Sequence, residues 1–585
     1  MEKRERERER KVPLRSAAWF QGRDELGAQH RAVLRAMGIA ADYYKDRPII
    51  GIANSWSELN NCNAGLREVA AAVKRGVLAA GGLPLEFPTI SLGEELTKPS
   101  AMLYRNLMAM DLEEMLRSNP IDGVVLLCNC DKTTPAQLMA AASANLPAIQ
   151  VAGGPRTSSY WRGQEVGSGT DMWRVWDQVR TGELDLEAWH EFERCIGCSV
   201  GGCNVMGTAS TMTGLSEALG MMLPGTSSIP ATDALRLQAA EESGRAIVRL
   251  VLEDVRPRDI MTPAAFRNAI RVLFALGGST NAVIHLIAIA GRLGIDLPLD
   301  LFDELARTTP FITDVKPGGS RLMAAFHAAG GIPAVMKQIR HLLHHECMTV
   351  AGVTVGEVIR AARCYDPDVI RPADRPVVPG PALAVLRGNL APRGAVIKLS
   401  AASPALCQHE GRALVFESYD EMLAQIDRDD LDVRPDDVLV LKHAGPKGVP
   451  GMPEWGMIPI PRKLRQQGVT DMVRISDSRM SGTSFGTVVL HVAPEAAAGG
   501  PLAVVRTGDR IRLDVAGRRL DLLIDEAELR RRLAAWSPPP SPHLRGYPRL
   551  YIDHVLQADQ GCDFDFLRPD SDEALYFVPP VVGRS

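Results

Sequence analysis

The sequence predicts an α/β protein in two parts. An N-terminal doubly wound, mainly parallel sheet domain is followed by a C-terminal β-barrel-like domain with a few helices. Three observations carry this reading. Up to residue 366, short apolar runs alternate with longer helical stretches, the pattern of βαβ units. Five prolines then fall in fifteen residues from Pro367 to Pro381, which marks a linker. Beyond it, short β-branched runs are separated by glycine-rich turns.

The expected division is a charged, disordered tail over 1–13, an α/β domain over 14–366, the linker 367–381, and a β-rich domain over 382–536. A tail over 537–585, set off by the prolines at Pro538 to Pro542, is expected to contribute to the active site. At 585 residues the chain is too long for one ordinary domain. Its 46% hydrophobic and 23% charged residues are those of a globular protein, and a net charge of -4 points to neither nucleic acid nor an anionic membrane. The longest apolar run, Ala282 to Ala290, is interrupted by His285 and is too short to span a bilayer. The opening MEKRERERERK has no apolar core and does not read as a secretory signal, so a cytoplasmic location is expected.

In chain order, Leu14 to Ile39 reads as helical lead-in. Pro48 to Ala53 is a strand running into the polar loop NSWSELNNCNAG, and Leu66 to Ala80 has helical spacing. Pro88 to Leu92 reads as a further strand ending at Gly93-Glu94-Glu95, followed by a helix through Met102 to Arg117. Val124 to Leu127 is a buried strand, after which Cys128, Asn129, Cys130, Asp131 and Lys132 precede a helix opened by Pro135, with Thr134 as its N-cap. Pro147 to Ala152 is another strand. The loop CIGCSVGGCNVMGTAS, from Cys195 to Ser210, feeds a Met- and Leu-rich helix. GGSTNAVIHL around Leu276 is a good helix start and a candidate anion site. In the C-terminal part, strands are expected at Ala395–Leu399, Ala413–Phe416, Val438–Leu441, Met472–Ile475 and Thr487–His491. Ile511–Val515 and Leu520–Ile524 form a hairpin around Ala516-Gly517.

A strand leading into a polar loop and then a helix puts that loop at the carboxyl edge of the sheet, where ligands bind. In the loop after Val124–Leu127, a thiol stands beside a carboxylate, which suits one sulfur-bound and one oxygen-bound metal. Six of the ten cysteines (Cys62, Cys128, Cys130, Cys195, Cys198, Cys203) lie in three such loops. One thiolate from each loop would suit an iron–sulfur cluster with one iron left open. A structural zinc site is the competitor, since Cys195 and Cys198 have CxxC spacing, although no second CxxC exists. Cys347, Cys364, Cys407 and Cys562 read as ordinary thiols.

Long stretches then resemble the dihydroxy-acid/6-phosphogluconate dehydratase family, in its pentonate (sugar-acid) dehydratase branch. They include NSWSELNNCNAGLRE, SLGE, AMLYRNLMAMDLEEMLRS, CDKTTPAQLMAAAS, GGSTNAVIHL, GPKGVPGMPE, SRMSGTSFGTVVLHVAPEAA and the tail GYPRLYIDHVLQADQGCDFDFL. The resemblance implies that Cys62, Cys130 and Cys203 hold an iron–sulfur cluster, 2Fe–2S in this branch, with 4Fe–4S as the alternative. It implies that Glu94, Asp131 and Glu454 hold Mg²⁺ and that Lys132 is carbamylated to give a further oxygen ligand. The plain reading of Lys132 is a salt bridge to Asp131. Ser481 matches the proton-abstracting base and Thr483 a substrate contact. The plain reading of Ser481 is that it only binds substrate, because free serine is a weak base. His554 and Gln557 stand where they could reach a polyol hydroxyl, and His554 also fits a surface position.

This chain departs from the family at Cys128-Asn129, before the second cluster cysteine, and at Gly202, before the third. The activity implied is a hydro-lyase turning an aldonate into its 2-keto-3-deoxy acid, in a homodimer or homotetramer. The dihydroxy-acid dehydratase of branched-chain amino-acid synthesis, and a non-enzymatic iron–sulfur electron carrier or sensor, are the rival readings.

Overall fold

The computed structural model describes residues 13–540, 542–569 and 581. Most of the charged 1–13 tail and much of the chain after 569 therefore lie outside the described residues. Four strands, β1 (Ile49–Asn54), β2 (Leu83–Pro88), β3 (Gly123–Cys128) and β4 (Ala148–Ala152), form an all-parallel sheet in the order β2-β1-β3-β4. β1, β3 and β4 are buried along their whole length, as strands covered on both faces must be, and apart from Asn54 and Gln150 they read as apolar runs. The strand expected at Pro88–Leu92 is corrected to Leu83–Pro88. β2 carries prolines at 84 and 88, which a strand tolerates here because β2 is an edge of the sheet, where a missing N–H costs no ladder bond.

The helices Leu66–Ala79 and Ala234–Glu253 pack on one another and on the sheet. The crossover helices Arg105–Ser118 and Thr133–Ala144 pair on the other face, as right-handed crossovers require. The helix expected over 102–117 begins as a 3₁₀ turn, Ala101–Tyr104, and becomes α-helical at Arg105. Thr134 is not an N-cap: that place belongs to Lys132, and the Thr134 hydroxyl donates instead to the Cys130 carbonyl. A short hairpin, β5 (Ser159–Trp161) and β6 (Gln164–Val166), and the helices Thr170–Thr181 and Leu186–Ile196 follow β4; sequence periodicity did not single them out.

Residues 362–380 contain neither helix nor strand. After them come β7 (Leu383–Leu386), β8 (Gly394–Lys398), β9 (Gln408–Phe416), β10 (Val438–Leu441), β11 (Arg474–Ser476), β12 (Val488–Ala493), β13 (Arg510–Asp514) and β14 (Arg519–Leu522). They form one sheet in the order β14-β13-β9-β10-β11-β12-β8-β7. A bridge between Arg387, just past β7, and Arg519 of β14 draws the two edges together, so the sheet curls nearly shut. Its central strands are apolar on both faces. Ala413, Val415, Val438 and Val440 join one core, and Leu414, Phe416, Leu439 and Leu441 join another.

The tail helix Gly546–His554 and the residues after it are bound to the N-terminal half. Arg105, fully buried, donates to the carbonyls of Gly561 and Cys562, and buried Arg292 pairs with Asp563. No helix among the described residues is long and apolar enough to cross a membrane.

Candidate active site

β1 turns outward to β2, whereas β3 continues the other way to β4. The gap between their carboxyl ends is therefore the switch point of the sheet, the usual ligand crevice. The loop leaving β1 carries Cys62, and the loop leaving β3 carries Cys130. Two asparagines lock these loops together. Asn63 accepts from the Cys130 backbone N–H at 3.2 Å, and Asn129 donates to the Cys62 carbonyl at 2.7 Å. Asn129, one of the two departures, also donates to the Gly154 carbonyl at 2.8 Å and so reaches the loop after β4. That loop holds the third cysteine segment by backbone pairing: Gly202 N–H donates to Gly154 and Arg156 N–H to Gly202. Gly201 makes this possible at φ +121, where an added Cβ would stand 2.7 Å from the Arg156 nitrogen.

The result is a group of soft donors. Cys62 and Cys130, both buried, and the exposed carboxylate of Glu95 have ligand atoms within 4.8 Å of one another. The facing Cys62 thiol and then burial push Cys130 well above an ordinary thiol. Burial, then the charge of Glu95, pushes partly buried Cys203 up to about 12, and Cys62 adds to it. Cys128 is the buried neighbour that packs with Ala152 and Met222 instead. Cys195 and Cys198 give their S–H to the backbone carbonyls of Glu191 and Thr157, and among the described residues neither joins the group. Glu95 is the member that the sequence reading missed; the doublet Glu94-Glu95 was its only signal.

One residue beyond Cys130 the chemistry hardens. The Lys132 ammonium, fully buried, lies 2.7 Å from Asp131 Oδ2, 3.2 Å from Glu94 Oε2 and 3.6 Å from Glu454 Oε1. Two of the carboxylates are also held from behind. Ser100 donates to Glu94 at 2.8 Å, while Asn281 and Arg479 donate to Glu454 at 2.7 and 2.9 Å. Burial raises Glu94, but Lys132 and Arg479 reverse this and hold it below the usual carboxylate range. Burial wins at Asp131 and Glu454, which are raised. Burial disfavours the charged Lys132, and Asp131 and Glu94 more than compensate, so it stays an ammonium. At the helix start Asn281, the candidate anion site, the anion is thus the chain's own Glu454.

The C-terminal sheet supplies the other wall. Glu454 follows β10 and the turn Ser481-Gly482-Thr483 follows β11. Asn281 reaches the Met480 carbonyl at 3.3 Å and Thr208 at 3.0 Å, which ties this turn to two helix starts. Ser481 Oγ lies 2.9 Å from Thr483 Oγ1 and accepts from the Thr483 N–H at 3.3 Å. Thr170 donates to the Thr483 carbonyl at 2.8 Å, and Trp173 Nε1 to Thr483 Oγ1 at 3.4 Å. Gly169, at φ +78, lets the helix approach; a Cβ there would sit 2.3 Å from Thr483 Oγ1. On the far side of the turn, buried Lys398 donates to the Gly482 carbonyl at 3.5 Å. Arg479, Asn281, Trp173 and Lys398 all escaped the sequence reading, the first two although they lie inside quoted motifs.

His554 and Gln557 stand elsewhere. The Gln557 amide donates to Glu495 at 2.6 Å and its oxygen accepts from the Glu495 N–H at 2.9 Å. Glu495 also accepts from Lys447 and Gly448, in the loop that leads to Glu454. His554 is half-exposed, bonded to Asp565 at 3.0 Å and edge-on to Phe566.

Both donor sets fit the groups they would hold. A crowded pair of buried thiols, Cys62 and Cys130, with Cys203 nearby in the chain's third loop, suits a soft cation. Three carboxylates already gathered about a lysine ammonium make a hard cation site. Residues 47–358 match the family described as dihydroxy-acid/6-phosphogluconate dehydratase, N-terminal, and residues 368–562 match its C-terminal counterpart. The chain is 52% identical to L-arabonate dehydratase of Azospirillum brasilense over 95% of this chain and 97% of that one. It is 50% identical to 6-deoxy-6-sulfo-D-gluconate dehydratase of Pseudomonas putida, over 95% and 96%. It is 42% identical to a dihydroxy-acid dehydratase of Ignicoccus hospitalis, over 91% and 97%. Two matched halves and near full-length identity on this scale make the chain a member of the dihydroxy-acid/6-phosphogluconate dehydratase family.

Proposed function

We propose that the protein is a hydro-lyase that dehydrates a sugar acid, a pentonate, to the 2-keto-3-deoxy acid, working in the cytoplasm as a homodimer or homotetramer. Cys62, Cys130 and Cys203 would hold a 2Fe–2S cluster. Glu94, Asp131, Glu454 and a carbamylated Lys132 would hold Mg²⁺. The observation that carries this reading is the junction Cys130-Asp131-Lys132, where a soft donor group meets a hard one beside the Ser481 turn. Bound there, the cluster supplies a Lewis acid for the departing hydroxyl and Mg²⁺ supplies positive charge for the carboxylate and the developing enolate.

The chain's own residues do the rest. Ser481 Oγ takes the C2 proton, the C3 hydroxyl leaves, and the enol tautomerises to the ketone, so that one water is lost overall. The Thr483 N–H and hydroxyl aimed at Ser481 Oγ stabilise the alkoxide that this role needs. Arg479, fully buried, adds fixed positive charge behind Glu454 and Glu94. Burial of Lys132, Arg479 and Thr483 keeps water from the reacting atoms. The hydroxyls and amide around the turn (Thr208, Ser279, Asn281, Thr483) favour a polyol over a branched apolar acid.

Anaerobically purified enzyme, assayed for keto-acid product on a panel of aldonates and on 2,3-dihydroxyisovalerate, should turn over pentonates fastest. A preference for dihydroxyisovalerate would transfer the protein to the branched-chain reading. Ser481→Ala should abolish turnover with the visible spectrum intact; retained turnover would leave Ser481 as a substrate contact only. A monomer in light scattering would remove the oligomer.

A further inference from the structure

The exposed carboxylate of Glu95 has no assigned work, yet it is the third member of the group formed with Cys62 and Cys130. Its ligand oxygen and the two sulfurs all lie within 4.8 Å of one another, the separation found for atoms bound to a common core. The carboxylate therefore stands against two of the three thiols, and its chain neighbour Glu94 reaches Lys132 in the oxygen half. The two sulfurs are buried and Glu95 is exposed, so it stands on the solvent side, the side from which a substrate arrives. Three cysteines cannot satisfy every position of an iron–sulfur core, and a carboxylate oxygen is an acceptable fourth donor to iron.

We propose that Glu95 is a displaceable ligand of the iron–sulfur cluster, closing the position left by the three cysteines until substrate binds. This rests on the reading of Cys62, Cys130 and Cys203 as cluster ligands. On binding, the substrate's C3 hydroxyl oxygen takes the place of the Glu95 oxygen. One iron–oxygen bond is exchanged for another, the carboxylate swings back toward solvent, and no electron is transferred. Until then the carboxylate keeps water and dioxygen from the exposed iron. Adjacent glutamates thus serve different metals: Glu94 points to Lys132 and the hard site, Glu95 to the sulfurs.

The test compares wild-type and Glu95→Gln holoenzyme, purified without oxygen, reduced, and exchanged into D₂O. Electron–nuclear double resonance then reads exchangeable protons next to the cluster. A carboxylate ligand carries none, whereas a bound water does. The wild type should lack strongly coupled exchangeable protons, and Glu95→Gln should gain them with unchanged iron and sulfide content. The variant's cluster should also bleach faster in air. Strong exchangeable couplings in both proteins, or in neither, would overturn the proposal while leaving the cluster in place. If neither protein carries iron and sulfide, the cluster reading itself falls, and Glu95 with it.

Discussion

The two halves of the site are built on opposite electrostatic plans. In the oxygen half, every charge has a partner before any metal is considered: Lys132 among three carboxylates, with Arg479, Asn281 and Ser100 behind them. In the sulfur half, the facing Cys62 thiol and burial push Cys130 up, and burial pushes up partly buried Cys203. A buried carboxylate cannot be left uncompensated, so the hard half is assembled as a salt cluster with the folded chain. A thiol can wait as a small neutral group, so the soft half acquires its charge only with its metal.

The sharpest way to break this contrast is to remove one member from each half of metal-free protein. Lys132→Met leaves one buried and two largely buried carboxylates with Arg479 as their remaining cation and should cost about 3–5 kcal/mol in urea unfolding. Millimolar Mg²⁺ should restore part of that loss, because a cation bound only by the folded state stabilises it. Cys62→Ala should cost about 1 kcal/mol under the same conditions. Equal losses in the two variants would mean that the halves are not built differently.

Lys398 sharpens the contrast from a third side. It is buried like Lys132 but no carboxylate among the described residues pairs with it, and burial alone brings it down to about 7. With a folded value below the unfolded 10.5, the folded chain binds fewer protons between those pH values. Stability therefore climbs as pH rises from about 7 toward 10, and the penalty is complete below 7. Lys398→Met should remove that climb and raise stability at pH 7 by a few kcal/mol, at ~1.4 kcal/mol per unit. Turnover should fall about tenfold, since the contact to the Gly482 carbonyl is lost. Destabilisation at pH 7 would show that Lys398 has a compensating charge after all.

These cases also show what sequence can and cannot reveal. Strands β1, β3, β4 and β10 are legible because burial on both faces writes a mainly apolar run, broken only by Gln150 and the terminal Asn54. β2 was misplaced because its prolines are harmless only at an edge, and edge position depends on the tertiary order. The hairpin β5–β6 is too short and too exposed to leave a pattern. At the site, Cys62, Cys130 and Asp131 announce themselves by residue type and by their place after strands. Arg479 and Lys398 do not, because what singles them out is burial and the identity of neighbours over 25 or more residues away. Gln557 looked available in the tail motif; only the fold shows both ends of its amide committed to Glu495.

The smallest effect tests how the Ser481 turn is oriented. An indole N–H can donate but never accept, so the contact from Trp173 fixes Thr483 Oγ1 as acceptor at 3.4 Å. The Thr483 hydroxyl proton is then left to point at Ser481 Oγ, 2.9 Å away, where it joins the Thr483 N–H. Trp173→Phe keeps an aromatic side chain of smaller size and deletes the donor, so Thr483 becomes free to turn its proton elsewhere. One long, neutral hydrogen bond at one remove from the reacting atoms supports about a threefold fall in kcat, with KM unchanged. An unaltered kcat would mean that the Thr170 contact to the Thr483 carbonyl, at 2.8 Å, is enough to set the turn. The effect is small for the reason that Lys132→Met is large: Trp173 directs a dipole, whereas Lys132 balances buried charge.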